Sequence, residues 1–142
     1  MSFSPAGGNI SGADDVALSN PTTNQLLTFD ATTAKWVNGG GTITTTTRGA
    51  DYTLQLSDAG TAIDVNSATS RIITIPLNST VAFAVGTIIE IAQIGAGQVT
   101  VATASGVTLQ TASATMKTRA RYATLGLRKR ATDTWLLSGD TE

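Results

Sequence analysis

The stretch IIEIAQIGAGQVTVA, residues 88–102, decides how the rest of the chain is read. It holds Gly95, Ala96 and Gly97 between two apolar-rich runs, which suits a phosphate-cradling loop or a tight bend between strands. A dinucleotide fingerprint needs a third glycine three residues after Gly97 and an amphipathic helix to follow. The position holds Thr100, and Gln98, Val99, Thr100 and Val101 alternate with a period of two. A P-loop needs Gly-Lys-Ser/Thr, which is absent. The spacing therefore predicts a β-hairpin turning at the glycines. Glu90 shares a strand face with Ile88, Ala92 and Ile94 in a regular strand, as a carboxylate at a sheet edge or an oligomer seam, since an unpaired buried charge is costly.

Working outward, the same period of two recurs along the chain. Ile73, Ile75 and Leu77 share one face, as do Val81, Phe83 and Val85. Further strands are expected over residues 53–56, 62–65, 107–109 and 122–129, and in the closing TWLLSG. Threonine occurs 26 times and glycine 14, a composition of β-branched side chains and turns. Many short strands at this spacing predict an all-β fold, an antiparallel β-sandwich or β-barrel-like domain. The expected core is Ile73, Ile75, Phe83, Val85, Ile89, Ile91, Val99, Val101, Val107, Leu109, Leu125, Leu127, Trp135 and Leu137.

The first 41 residues differ in character. Residues 1–20 are rich in Ser, Gly, Asn and Asp, with Ile10, Val16 and Leu18 as isolated apolar anchors, and read as an extended arm. NQLLTFDATTAKWVNGGG then predicts a small hairpin: a strand at 26–29, a bend, a return at Trp36 and Val37, and a flexible triple glycine at 39–41. The expected organisation is an arm-and-hairpin attachment module over 1–41 and a β-domain over 42–142. Leu27, Phe29 and Trp36 are the expected anchors of attachment, or else caps on the β-domain's own core.

Composition excludes much chemistry. With no Cys and no His, thiolate catalysis, disulfides and histidine-based acid–base chemistry are absent. Asp51, Asp58, Asp64 and Glu90 are the carboxylates that a glycosidase would draw on, but no pattern pairs them, and aromatic content is 5%. Asp58, Asp64 and Asn66 lie near one another without matching a calcium-loop pattern. No cofactor, metal or catalytic residue is expected. No signal peptide or membrane-spanning run is expected either, since the longest apolar stretch is broken by Gly86 and Glu90.

Charge is more informative. Of nine basic residues, six fall together: Lys117, Arg119, Arg121, Arg128, Lys129 and Arg130. Arg119 and Arg121 are expected on one strand face, and Arg128 and Arg130 on another, forming a basic stripe. Only Tyr122 supplies a nearby aromatic, and the pI is about 5.2, so a protein contact is favoured over nucleic acid.

Two segments carry a family likeness. Residues 15–38, DVALSNPTTNQLLTFDATTAKWVN, are similar to a short hairpin of phage fibre-like proteins. Residues 51–140, with IPLNS, FAVGT, GAGQVT and WLLSGD in order, resemble a terminal β-domain of tailed-bacteriophage structural proteins. The resemblance implies a homotrimeric β-module of the virion surface that catalyses nothing, made in the host cytoplasm. Its partners would be the major capsid protein or another virion structural protein. The short chain, without a shaft, fits a capsid decoration or head-fibre protein. A tail or baseplate fibre component with receptor or carbohydrate binding is the alternative, and a small glycan-active enzyme a remote one.

Overall fold

A computed structural model describes residues 14–19, 26–30, 32–39 and 43–142. The chain divides into two units, Met1–Thr42 and Ile43–Glu142. The first holds strands Val16–Ala17 (β1), Leu26–Asp30 (β2) and Lys35–Gly39 (β3). The second holds Thr45–Arg48 (β4), Tyr52–Thr53 (β5), Ala62–Val65 (β6), Arg71–Ile75 (β7), Ile88–Gln93 (β8), Val99–Thr103 (β9), Thr108–Thr111 (β10), Thr124–Ala131 (β11) and Thr134–Gly139 (β12). A single 3-10 turn, Leu56–Asp58, is the helical element of the described residues. The fold is all-β, as the threonine, valine and isoleucine content dictates.

β8 and β9 do not form the expected hairpin. β8 lies in a six-stranded sheet of order β10-β12-β11-β8-β6-β4, and β9 in a three-stranded sheet of order β5-β7-β9. From β4 to β9 the chain alternates between the two sheets, adding one parallel strand to each in turn. The path is that of a short solenoid with three coils: β4–β5, β6–β7 and β8–β9. Parallel neighbours need a crossover between them, and here a strand of the other sheet provides it. For β4–β9 the antiparallel expectation is thereby corrected, while β8, β11 and β12 do pair antiparallel; period-two alternation reports which face is buried and is silent on strand direction.

The glycine bend is a corner that lies directly on the corner of the coil before it. A Cβ on Gly95 would stand 2.1 Å from the Ser67 carbonyl oxygen, and one on Gly97 2.0 Å from that of Thr69. Hydrogen bonds continue around the bend: Gly95 N–H to Val65 O at 3.1 Å, Gly97 N–H to Ser67 O at 2.9 Å, and Arg71 N–H to Gln98 O at 2.9 Å. Glycine is needed here for close approach of two backbones.

Registered side chains build the core across the coils. Ile63 stacks on Ile91 and Ile91 on Leu125, while Tyr52 stacks on Ile73 and Ile73 on Val101. One buried cluster takes in residues of both sheets. β11 and β12 end the parallel stack as an antiparallel pair, and β10 adds parallel to β12. Trp135 packs edge-on to Phe83 at 5.4 Å between centroids. Residues 81–85 form no strand, so the expected alternation fails there: Phe83 is buried but Val85 is 65% exposed. Val107 and Leu109 are partly buried against the cluster, and Leu54, Ile63 and Val65 are core residues beyond those expected.

In the first unit, β2 and β3 form the expected hairpin, and β1 joins β3 in parallel, giving the order β1-β3-β2. The turn closes on Asp30, whose carboxylate accepts from Thr32 N–H at 2.9 Å and from the Thr33 hydroxyl at 2.8 Å. Of the arm, residues 1–13 and Asn20 lie outside the described residues, as do Gly40 and Gly41 of the triple glycine.

Candidate protein-contact surfaces

Strand register collects the apolar anchors of the first unit on one face. Phe29 pairs with Trp36 and Leu27 with Asn38, while Val16 lies beside Trp36. Leu27, Phe29 and Trp36 are 41%, 53% and 41% exposed, and the two rings meet edge-on at 5.4 Å. The face is held in shape from its rim. Asn38 donates from its amide to Ser19 O at 2.8 Å and accepts from Ser19 N–H at 2.7 Å, tying the β1 end to β3. Hydrogen bonds from the Thr33 hydroxyl and then the Thr32 amide hold the Asp30 carboxyl below its ordinary value. An exposed apolar aromatic face of this kind is a candidate contact surface.

The basic stripe is divided by the fold. Lys117, Arg119, Arg121, Arg128 and Arg130 are exposed, but Lys129 is buried. Arg128 and Arg130 point outward from β11, and the parity between them turns Lys129 inward. There its ammonium donates to Asn78 Oδ1 and, at 2.7 Å, to the Phe83 carbonyl. Lys129 is thus a clamp on the 78–83 loop, a correction to its expected place in a contact surface. No local sequence signal could have announced it, because its partners lie some fifty positions away. Arg119 and Arg121 also depart from expectation, since residues 119–122 form a bend and turn with no strand. An open groove of about 280 Å³ runs past Val85, Gly86, Arg128, Lys129 and Arg130. Arg130 is braced there by Gln110 Oε1 at 2.9 Å, and exposed Ile88 stands beside Arg128 on the neighbouring strand.

The carboxylates weighed for chemistry are dispersed. Asp58 is buried and accepts from the Tyr52 hydroxyl at 3.0 Å and from Gln55 N–H at 2.7 Å, with Arg48 at 3.8 Å. The Arg48 guanidinium also lies over the Tyr52 ring at 4.2 Å. Burial raises the Tyr52 phenol above its ordinary value. Asp51 accepts from Ile72 N–H at 3.0 Å, a loop-to-strand tie. Glu90 is exposed on β8, a central strand of the six-stranded sheet, and so does not stand at a sheet edge. Among the described residues no three acidic side chains gather into a metal-binding group. No helix of the described residues is long and apolar enough to cross a membrane. No protein-family model, curated protein or solved structure matches the chain.

Proposed function

We propose that the protein is a structural component of a tailed-bacteriophage virion, a capsid decoration or head-fibre protein that docks onto the assembled shell. The observation that carries the proposal is the exposed face of Leu27, Phe29 and Trp36 on a three-stranded unit separate from the main β-domain. A three-stranded sheet of this size gains little from its own core, so its aromatic face has most to gain from a partner. The resemblance of both units to phage structural modules supplies the class of partner, a capsid or other virion protein, and a homotrimeric state. The β-domain supports the same role: Asp58 is committed to Tyr52, Gln55 and Arg48, and Asp51 to Ile72, leaving them as structural groups.

The test is decoration of shells that lack the native protein, observed by cryo-microscopy. A full-length Phe29→Ala/Trp36→Ala variant should retain its thermal transition yet lose occupancy by about a hundredfold, as expected when two aromatic anchors are removed. Undiminished occupancy would end the proposal. A second variant, Arg128→Glu/Arg130→Glu, asks whether the exposed part of the basic stripe contributes, with salt weakening any such contact.

A further inference from the structure

Three non-glycine residues among those described have positive φ: Ala34 at 54°, Asp133 at 50° and Tyr122 at 70°. Two have local explanations. Ala34 is small and sits in the β2–β3 turn, and Asp133 is of a type that tolerates this region. The Asp133 carboxylate also accepts from Asn78 N–H, and its carbonyl from Thr108 N–H at 2.8 Å. At Tyr122 the backbone is fixed by pairing to β8, with Tyr122 N–H donating to Gln93 O at 2.7 Å and Gln93 N–H to the Ala123 carbonyl at 3.0 Å, but the residue type does not suit the position. The Ala123 N–H to Ala120 O bond of 3.1 Å closes a four-residue turn, and positive φ at its third position makes it type II. That position calls for glycine or asparagine, and a bulky side chain there is strained. The ring gives the fold little in return, being 67% exposed.

The ring instead supports Arg121. The Arg121 guanidinium lies 4.8 Å from the Tyr122 ring centroid, and its Nε–H donates to the Ile94 carbonyl at 2.8 Å. Stacked on one side and tethered at Nε, the group presents its two terminal nitrogens as a fixed fork. Those nitrogens have no partner among the described residues, and a planar fork held in place is the geometry that takes a carboxylate through paired hydrogen bonds. Arg119 and Lys117, also exposed, lie on the same segment, paired through their backbones with Asp140 and Glu142.

We propose that Tyr122 and Arg121 form a contact point for an acidic surface of another protein. Strain kept at an exposed aromatic, with a preset arginine beside it, matches the residue types that dominate protein interfaces. The turn is not part of the groove, which lies at Val85 and Arg128, whereas sugar and small-molecule sites are concave. One aromatic is also too few for the stacking platforms of single-stranded nucleic acid binders. The proposal assumes nothing about a virion and is tested without one.

Titration calorimetry of the full-length protein at low salt would use poly-L-glutamate, polygalacturonate and oligothymidylate as probes. Tyr122→Gly should raise Tm by about 4 °C as the strain is relieved, and weaken poly-L-glutamate binding about tenfold. Arg121→Lys, which keeps the charge but loses the fork, should weaken it about fivefold with Tm little changed. A fall in Tm for Tyr122→Gly would make the ring structural. Unchanged affinity in either variant, or no binding of poly-L-glutamate by the native protein, would overturn the contact. Tyr122-dependent binding of polygalacturonate or oligothymidylate in preference to poly-L-glutamate would reject a protein partner.

Discussion

Replacing Gly97 by alanine tests the stacked-corner architecture with a single methyl group. The new Cβ would stand 2.0 Å from the Thr69 oxygen, 2.2 Å from its carbonyl carbon and 2.8 Å from Ser70 N. All three are backbone atoms, so no side chain can swing aside, and the two corners must separate by about 1 Å to reach ordinary contact. Separation strains the Gly97-to-Ser67 and Arg71-to-Gln98 hydrogen bonds, both 2.9 Å. Overpacking of this kind costs about 1–3 kcal/mol, and two weakened hydrogen bonds add about 1–2 kcal/mol. The stiffer unfolded chain offsets about 0.4–1 kcal/mol of that cost, because alanine loses less freedom on folding than glycine. A net destabilisation of about 1–4.6 kcal/mol results, measurable as a lower urea midpoint at unchanged slope. Gly60→Ala is the control: its φ of 73° disfavours alanine, but nothing lies within 4 Å, so its cost is backbone strain of about 1 kcal/mol. If Gly97→Ala loses no more than Gly60→Ala, the corners are not in contact and the coil-on-coil account is wrong.

Four further outcomes follow from the same structure. Phe83→Ala removes a buried ring packed on Trp135 and should cost about 3–5 kcal/mol in denaturant unfolding. Lys129→Met leaves Asn78 Oδ1 and the Phe83 carbonyl without their donor, so a loss of about 2–4 kcal/mol is expected, with faster hydrogen exchange across residues 78–86. Thr46→Val should stabilise by about 1 kcal/mol, because the Thr46 hydroxyl is buried without a hydrogen-bond partner and stacks beside Ile63. The Asp30 carboxyl titrates below 3.8 in the folded hairpin, so its stabilisation is complete above that pH and is lost as pH falls through the folded value. The Thr32 amide resonance, followed by NMR on acidification, should report that loss.

Much of the fold was legible because burial follows parity. Ile73, Ile75, Ile89, Ile91, Val99, Val101, Leu125, Leu127, Trp135 and Leu137 recur at every second position within their strands, and all are buried. Strand direction was not legible, because the same alternation serves a hairpin and a coil. The bend at Gly95 and Gly97 has the composition of a hairpin turn, yet its glycines answer to Ser67 and Thr69, which lie far away in sequence. An internal repeat would have exposed the coils, but their lengths are unequal. β6 follows β4 through a short loop and two-residue β5, whereas the path from β7 to β8 carries the extra 76–87 segment. Val85 was misjudged for the same reason, since that segment leaves the sheets altogether.

The contact surfaces divide along similar lines. Leu27, Phe29 and Trp36 could be grouped from sequence because a hairpin is local and its register brings its own residues together. The basic cluster could not be partitioned that way. Within Arg-Lys-Arg at 128–130, the two arginines face out and the lysine turns into a clamp on a distant loop, so neighbouring charges in one run have opposite surroundings. Arg121 gains its definition from Tyr122 and from a carbonyl at the end of β8, neither of which a charge count weighs. What distinguishes the two kinds of cation is how each is held. Lys129 gives two of its donors to acceptors inside the protein, while the terminal nitrogens of the exposed arginines at 121 and 128 have no partner among the described residues, and of these two only Arg121 is braced on both a ring and a carbonyl. Affinity gained by fixing a group before binding is affinity not lost to ordering it afterwards, which makes the strained turn at Tyr122 the place where a single substitution should separate stability from recognition.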